Sequence, residues 1–149
     1  PISAACHDGE ALYLRLEGGE GSVQSARQRL GGELLDSRFW SDLREQRLAF
    51  FNDPAPLWRL SVPTVTGELA LPGQQLIDWG GAQRWLKSTA PAQLIREQAA
   101  TVGGHATGYL PGDDSSAPLP EALMRYHHAL KQQLDPQGIF NPGRLYPDL

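Results

Sequence analysis

The sequence predicts an α+β domain, in which helices pack on one face of an antiparallel β-sheet. Two pairs of alternating segments flank the Gly-containing stretches "HDGE" and "DWGG", which is typical of antiparallel hairpins. Four further segments place apolar residues at helical spacing. The 149 residues suffice for one domain with a sizeable core, and no repeat or long linker divides them. We therefore expect a single domain over residues 1–149.

The first half of the chain predicts a hairpin, two helices and a strand. In the hairpin, Asp8-Gly9 supplies the positive φ angles of a tight turn. Ser22 has the residue type of an N-cap for the first helix, and Gly31 is suited to end it. The predicted elements are strands at 2–6 and 11–16, helices at 23–30 and roughly 37–48, and a strand at 57–62.

The second half predicts another hairpin, two helices and a short strand. Gly80-Gly81 lies between the two alternating runs of "QLIDWGGAQRWLKS". Pro91 suits the first turn of a helix, and Gly103-Gly104 ends that helix. The predicted elements after the hairpin are a helix from Pro91 to Val102, a strand at 105–110 and a helix from Pro120 or Glu121 to Leu134.

Composition and charge argue against several classes of function. A net charge of −4 and a pI near 5.5 disfavour nucleic-acid binding and polybasic membrane binding. No apolar run approaches the ~20 residues that a membrane-spanning helix requires, so no membrane insertion is expected. The single cysteine, Cys6, cannot form an internal disulfide, which favours a reducing compartment. Because the chain opens on Pro1 and its one methionine is Met124, we expect it to be part of a longer protein.

Two turns are predicted within the ending "LDPQGIFNPGRLYPDL". Residues 135–138 have the composition of a type I turn, and residues 141–143 that of a type II turn. Ile139-Phe140, between the turns, is expected to anchor both as an apolar pair. The polar groups either satisfy their own backbone in a C-terminal clamp, or present an amide, a bare glycine backbone and Arg144 to a polar, planar or anionic partner.

This ending resembles the C-terminal signature of FAD-linked oxidases of the vanillyl-alcohol-oxidase type, DP-x-G-x-x-NPG. Longer stretches resemble the FAD-binding subunit of bacterial glycolate oxidase. They are "LYLRLEGGEGSV", "LPGQQLIDWGGAQRWLKST", "GGHAT" and "YHHALKQQLDPQGIFNPGRLYPDL". The resemblance runs over essentially the whole chain, but it covers only the C-terminal part of that subunit.

The resemblance implies a cap domain, related to ferredoxin-like folds, whose FAD is held mainly by an N-terminal domain outside this chain. It places Asn141, Pro142 and Gly143 near the isoalloxazine ring, and it makes Arg144 a candidate for a contact with the flavin or between domains. The implied reaction is oxidation of glycolate to glyoxylate, with electrons passing to an iron–sulfur subunit, and a second flavin subunit is a further partner. The implied location is the cytoplasm, peripheral to the inner membrane through the complex. The isolated fragment is expected to be inactive.

Two questions stay open at the level of the sequence. His105, in "GGHAT", is either a catalytic general base or a strand histidine that only completes its own hydrogen bonds. Its motif is shorter than the Gly-Asp-Gly-Asn-x-His stretch of related 2-hydroxy acid oxidising flavoproteins, so the alternative function is a non-catalytic module that docks the other subunits. The residues around the second hairpin turn are either sheet packing or a ligand or protein contact. They are Asp78, Trp79, Arg84 and Trp85.

No metal site is predicted. His127 and His128 are adjacent on a helix and point about 100° apart, so they cannot chelate one ion together. Asp113-Asp114 lacks the ligand spacing of a calcium loop.

Overall fold

The computed structural model describes residues 1–109, 117–146, 148 and 149. The end of the last predicted strand, Leu110, and the acidic pair Asp113-Asp114 lie outside the described residues. The order of the elements is the predicted one: a hairpin, two helices, three strands, then a helix, a strand and a helix.

The sheet is antiparallel throughout. Its strands are β1 (Ile2–His7), β2 (Leu12–Leu16), β3 (Leu57–Ser61), β4 (Gln74–Asp78), β5 (Gln83–Lys87) and β6 (His105–Gly108). They lie in the order β2-β1-β4-β5-β3-β6, and every described pair runs antiparallel. Both predicted hairpins, β1–β2 and β4–β5, are present. The α+β class is confirmed.

The helices match the predicted ones except at two ends. They are α1 (Glu20–Leu30), α2 (Arg38–Arg44), α3 (Ala92–Thr101) and α4 (Glu121–Leu134). The prediction of Ser22 as N-cap is wrong: α1 is capped at Gly19, and the Ser22 hydroxyl donates to the Gly19 carbonyl oxygen at 2.7 Å. The predicted second helix ends early, since Gln46 adopts a left-handed φ of 56°. Among the described helices, none is long and apolar enough to cross a membrane.

Apolar cores lie on both faces of the sheet, which differs from the predicted arrangement of helices on one face. The α3 face holds a core in which Trp58, Leu60, Leu86 and Ala106 pack against Ile95 and Ala99 of α3. The α2 face holds a core in which Cys6, Leu76 and Trp85 pack with Leu43 of α2. Trp85 and Leu86 are adjacent on β5 and point to opposite faces. Because both side chains are buried, one helical layer cannot cover the sheet.

Two buried cations on β5 tie neighbouring loops to the sheet. Arg84 is 4% exposed, and its guanidinium donates to the Gly81 carbonyl oxygen at 3.0 Å and the Thr66 carbonyl oxygen at 2.7 Å. Burial lowers the pKa of Arg84. Lys87, at the other end of β5, donates from Nζ to two carbonyl oxygens in the 53–55 loop. Each cation thus satisfies carbonyl groups that would otherwise lack partners.

Cys6 is enclosed in the α2-face core and is 1% exposed. Burial raises the pKa of its thiol to about 12, and the negative charges of Asp78 and Asp8 act in the same direction. The side chain therefore behaves as a small apolar group at neutral pH.

Gly104 packs so closely on β3 that a larger residue does not fit. A Cβ atom there would lie 2.4 Å from the Ser61 carbonyl oxygen. We predict that Gly104→Ala lowers the free energy of unfolding by about 1–3 kcal/mol, because β3 and β6 must separate to admit the methyl group. Gly67→Ala is the control, since a Cβ atom there meets nothing within 4 Å, and it should change this free energy by less than about 0.5 kcal/mol. Urea unfolding compares the two variants, and equal losses would contradict the close contact.

Candidate functional site

The C-terminal segment is held by one carboxylate. Asp135, just after α4, is 7% exposed and accepts from Lys131 Nζ at 2.6 Å and from the backbone amides of Ile139 and Phe140 at 3.1 and 2.9 Å. Lys131 also donates to the Phe140 carbonyl oxygen. The ammonium of Lys131, followed by the Phe140 amide, holds the pKa of Asp135 below its ordinary value. A charged hub thus fixes the path of the chain after α4.

Both predicted turns are present in this segment, which we call the C-terminal lip (residues 135–144). The Gly138 amide donates to the Asp135 carbonyl oxygen at 3.0 Å, and the Arg144 amide donates to the Asn141 carbonyl oxygen at 3.2 Å. Gly143 has the predicted positive φ, 66°, and Asn141 also lies in the left-handed region at 47°.

The lip turns its side chains outward. Asn141 and Arg144 are both exposed, and their side chains approach each other only loosely, with 3.5 Å between Arg144 Nη1 and Asn141 Oδ1. The expectation that Ile139 and Phe140 anchor the turns by burial is wrong, because they are 64% and 62% exposed. Their backbone amides are held by Asp135 instead, which leaves the two side chains open.

One face of α4 carries an exposed apolar stripe. Its residues recur every three or four positions and are 46–73% exposed: Leu123, Tyr126, Leu130 and Leu134. No residue of α4 is buried. The α4 stripe is therefore a helix face without a covering layer in the described part of the chain.

A second candidate region is a cavity of about 530 Å³ between α2 and the sheet, the α2-face cavity. Its walls include three tryptophans and three arginines, namely Trp40, Trp79, Trp85, Arg15, Arg44 and Arg59. One acidic residue, Asp78, also lines it.

The turn between β4 and β5 presents a strained tryptophan at the rim of this cavity. Trp79 is 65% exposed and has a φ of 50°, which is unfavourable for a bulky residue. The Asp78 carboxylate accepts from the Trp79 amide at 2.8 Å. Gly81 has no room for a side chain, because a Cβ atom would lie 2.6 Å from the Thr64 carbonyl oxygen. Of the residues singled out around this turn, Arg84 and Trp85 are buried packing residues, whereas Trp79 faces outward.

Asp78 is a buried acid, 8% exposed, on the cavity wall. Burial raises the pKa of its carboxyl group, although hydrogen bonds from the Trp79 amide and from Gln83 oppose this. In the ladder Asp78 lies opposite Gln83, and Arg84 lies opposite Ile77.

Arg59 is the candidate residue that the sequence analysis missed. It lies on β3 opposite Trp85, and its guanidinium carbon is 5.7 Å from the centroid of the Trp79 ring. The one signal in the sequence is a charged residue in the middle of the alternating run "LWRLSV". Alternation alone does not indicate that this side chain meets a cavity.

His105, the predicted catalytic residue, begins β6 and is exposed. It lies opposite Ser61, and Thr107 lies opposite Arg59, so His105 is on the same face of the sheet as Arg59. The sheet thus places His105 and Arg59 on one face, on neighbouring strands.

Two of the other histidines, His7 and His127, make local contacts. Nδ1 of His127 lies 2.9 Å from the Leu123 carbonyl oxygen, and His7 accepts from the Gly9 amide at 3.1 Å. In the part of the chain that the structure describes, no three His, Cys, Asp or Glu side chains are grouped to hold a metal ion.

Comparison with known proteins gives one strong similarity. Over 149 residues, its full length, the chain is 57% identical to glycolate oxidase subunit GlcE of Escherichia coli strain K12. The chain is a homologue of the C-terminal part of GlcE. The resemblance to a glycolate oxidase subunit that the sequence predicted is thus confirmed.

The chain spans 43% of the length of GlcE. Both the C-terminal lip and the α2-face cavity lie within the matched residues. No protein-family profile matches the chain, and no solved structure matches it. The roles of Asn141, Pro142, Gly143, Arg144 and His105 therefore stay predictions.

We predict that acid releases the lip. The Asp135 pKa is lowered in the folded state, so its stabilisation is present above the unfolded pKa of ~3.9 and is lost as the pH falls through the lowered folded value. Hydrogen-exchange protection of the Ile139 and Phe140 amides should therefore fall between about pH 6 and about pH 2. Asp135→Asn should lack this protection already at about pH 6, whereas Asp148→Asn, an exposed acid on the same tail, should keep it. Protection that is independent of pH in the unsubstituted chain would contradict the claim that the Asp135 carboxylate holds these two amides.

We predict that the backbone strain at Trp79 is measurable. Trp79→Gly and Trp79→Ala both remove the indole ring, so comparing them isolates the effect of a Cβ atom at a φ of 50°. The Gly variant should be more stable than the Ala variant by about 1 kcal/mol. Chemical unfolding monitored by circular dichroism measures this difference, and an Ala variant of equal or greater stability would rule out the strain.

Proposed function

We propose that this chain is the C-terminal cap domain of the FAD-binding subunit of a glycolate oxidase. The 57% identity to GlcE supports membership of such a subunit. The observation that carries the role is the C-terminal lip, which is fixed by Asp135 yet leaves Asn141 and Arg144 exposed. A segment held in one shape with its polar groups pointing outward is suited to a partner of matching shape.

The groups on the lip fit one edge of a flavin ring. The Asn141 amide offers both donors and an acceptor, as the polar edge of an isoalloxazine requires. Gly143, with no side chain, allows the backbone to approach a flat ring closely. Arg144 supplies a positive charge that favours an electron-rich ring. We propose that these residues, with Pro142 fixing the turn, contact the flavin.

FAD, held on this side by Asn141, Pro142, Gly143 and Arg144, would supply an acceptor for the hydride equivalent from carbon 2 of glycolate, and an iron–sulfur subunit would receive the electrons. The residues of the protein orient the substrate and shield the flavin from water. His105 is proposed to take the proton of the substrate hydroxyl, since its exposed imidazole carries a ring nitrogen that can accept a proton.

The α4 stripe is the surface that we propose for contact with the rest of the subunit. More than half of GlcE lies outside the part that matches this chain. We propose that the corresponding polypeptide carries the FAD and covers the α4 stripe together with Ile139 and Phe140. A contiguous apolar patch of this kind marks an interaction surface. The proposed location is the cytoplasm, peripheral to the inner membrane through the complex.

The same stripe supports a second candidate function. If another subunit, such as the second flavin subunit, covers α4, the chain is a non-catalytic module that docks partners. The exposure of Tyr126 and Leu134, 72% and 73%, is the observation that favours it.

The test uses the complete subunit assembled with its partners. Asn141→Asp places a negative charge against the ring edge and should lower glycolate turnover at least about tenfold while the complex still assembles. His105→Ala should lower turnover without loss of flavin. Flavin absorbance, dye-linked turnover and size-exclusion chromatography give the three readouts.

Asn52→Asp is the matched control, because Asn52 is an exposed asparagine far along the chain from the lip. Residues 1–149 alone are expected to be colourless and inactive. A fragment that purifies yellow would refute the proposal that FAD is held mainly by polypeptide outside these residues. Unchanged turnover in Asn141→Asp would refute the role of the lip. Lost assembly with retained flavin would favour the docking module.

A further inference from the structure

The α2-face cavity has an excess of positive charge. Three arginines line it against one acid, Asp78. Arg15 and Arg44 each form an ion pair with a neighbouring surface glutamate. Arg59 has no such partner among the described residues, so the positive charge that the cavity leaves unbalanced there is centred on β3.

The Arg59 side chain is half-buried and has donors to spare. Among the described residues it makes no hydrogen bond or ion pair, and its one contact of note is with the Trp79 ring, 5.7 Å from the guanidinium carbon. An indole covers one face of a guanidinium and leaves the N–H groups around its edge available. A carboxylate would satisfy two of these donors at once.

Gln83 provides a second polar group on the same wall. It is 5% exposed, and within the described residues its side chain makes a single long hydrogen bond, 3.4 Å from Nε2 to Asp78 Oδ2. Since buried amides normally bond through both the oxygen and the nitrogen, Gln83 retains capacity for a ligand.

The tryptophans and the volume of the cavity narrow the class of ligand further. Trp40, Trp79 and Trp85 supply flat apolar surface around the charged groups. The cavity volume of about 530 Å³ falls within the ~300–1,000 Å³ that is usual for small-molecule sites, and it is large for a two-carbon acid.

We propose that the α2-face cavity binds a flat organic carboxylate larger than glycolate, with Arg59 pairing its carboxylate and the tryptophans flanking its body. Arg59 is the binding residue, Trp79 positions the guanidinium, and Gln83 is a further polar contact. No residue of the C-terminal lip lines this cavity.

Titration calorimetry on the complete subunit tests the proposal with benzoate as the probe. Benzoate should bind saturably, and benzamide, of the same shape without the charge, should bind at least about tenfold more weakly. Glycolate should also bind more weakly than benzoate, since it lacks the flat body. Weaker binding of benzoate than of benzamide, or no saturable binding of benzoate, would overturn the site.

Variants locate the binding. Arg59→Gln should weaken benzoate binding at least about tenfold, and Arg59→Lys should lose less, because it keeps the charge but not the planar fork. Trp79→Ala should weaken benzoate binding several-fold.

Arg38→Gln is the control, since Arg38 pairs with Asp36 on the surface and does not line the cavity, and it should leave the affinity for benzoate unchanged. Equal affinity in Arg59→Gln, Arg59→Lys and the unsubstituted subunit would place the ligand elsewhere. If Arg59→Gln does not fold, the Lys variant and the comparison of benzoate with benzamide still decide the question.

Discussion

The body of the domain depends on β5, whose five residues are all buried although two of them are cations. Within the described residues, Arg84 and Lys87 have no carboxylate partner and instead donate to backbone carbonyl oxygens of loops. A buried cation that lost these hydrogen bonds would be left unsatisfied at a large cost in free energy. Each cation therefore holds the loop that supplies its carbonyl oxygens against the sheet. The hairpin turn that raises Trp79 over the cavity is one of the segments fixed in this way.

The lip is ordered by a different kind of force. Its residues bury almost no apolar surface, and its shape follows from the hydrogen bonds that converge on Asp135. Short-range polar contacts can fix a segment without a core beneath it, which leaves the apolar side chains on that segment free to face outward. The domain therefore combines a packed sheet with a terminal region whose hydrophobic groups remain available for another protein surface.

The features that the sequence predicted are those set by neighbouring residues. Gly9 and Gly80-Gly81 marked both hairpins, because a positive φ is a local requirement that glycine meets. The features that it did not predict depend on distant partners. The outward position of Phe140 follows from a carboxylate five residues away that takes its amide. The meeting of Arg59 with the Trp79 ring depends on a left-handed turn in another hairpin, which strand alternation cannot indicate.

The enclosure of Cys6 makes this domain convenient for spectroscopic labelling. With a thiol pKa of about 12, very little of the protein carries the reactive thiolate at neutral pH, and the buried sulfur is also inaccessible to reagents. A maleimide dye or nitroxide would therefore attach to a newly introduced cysteine and ignore the native one. Distances from such a probe could be followed in the assembled protein without first removing any natural side chain.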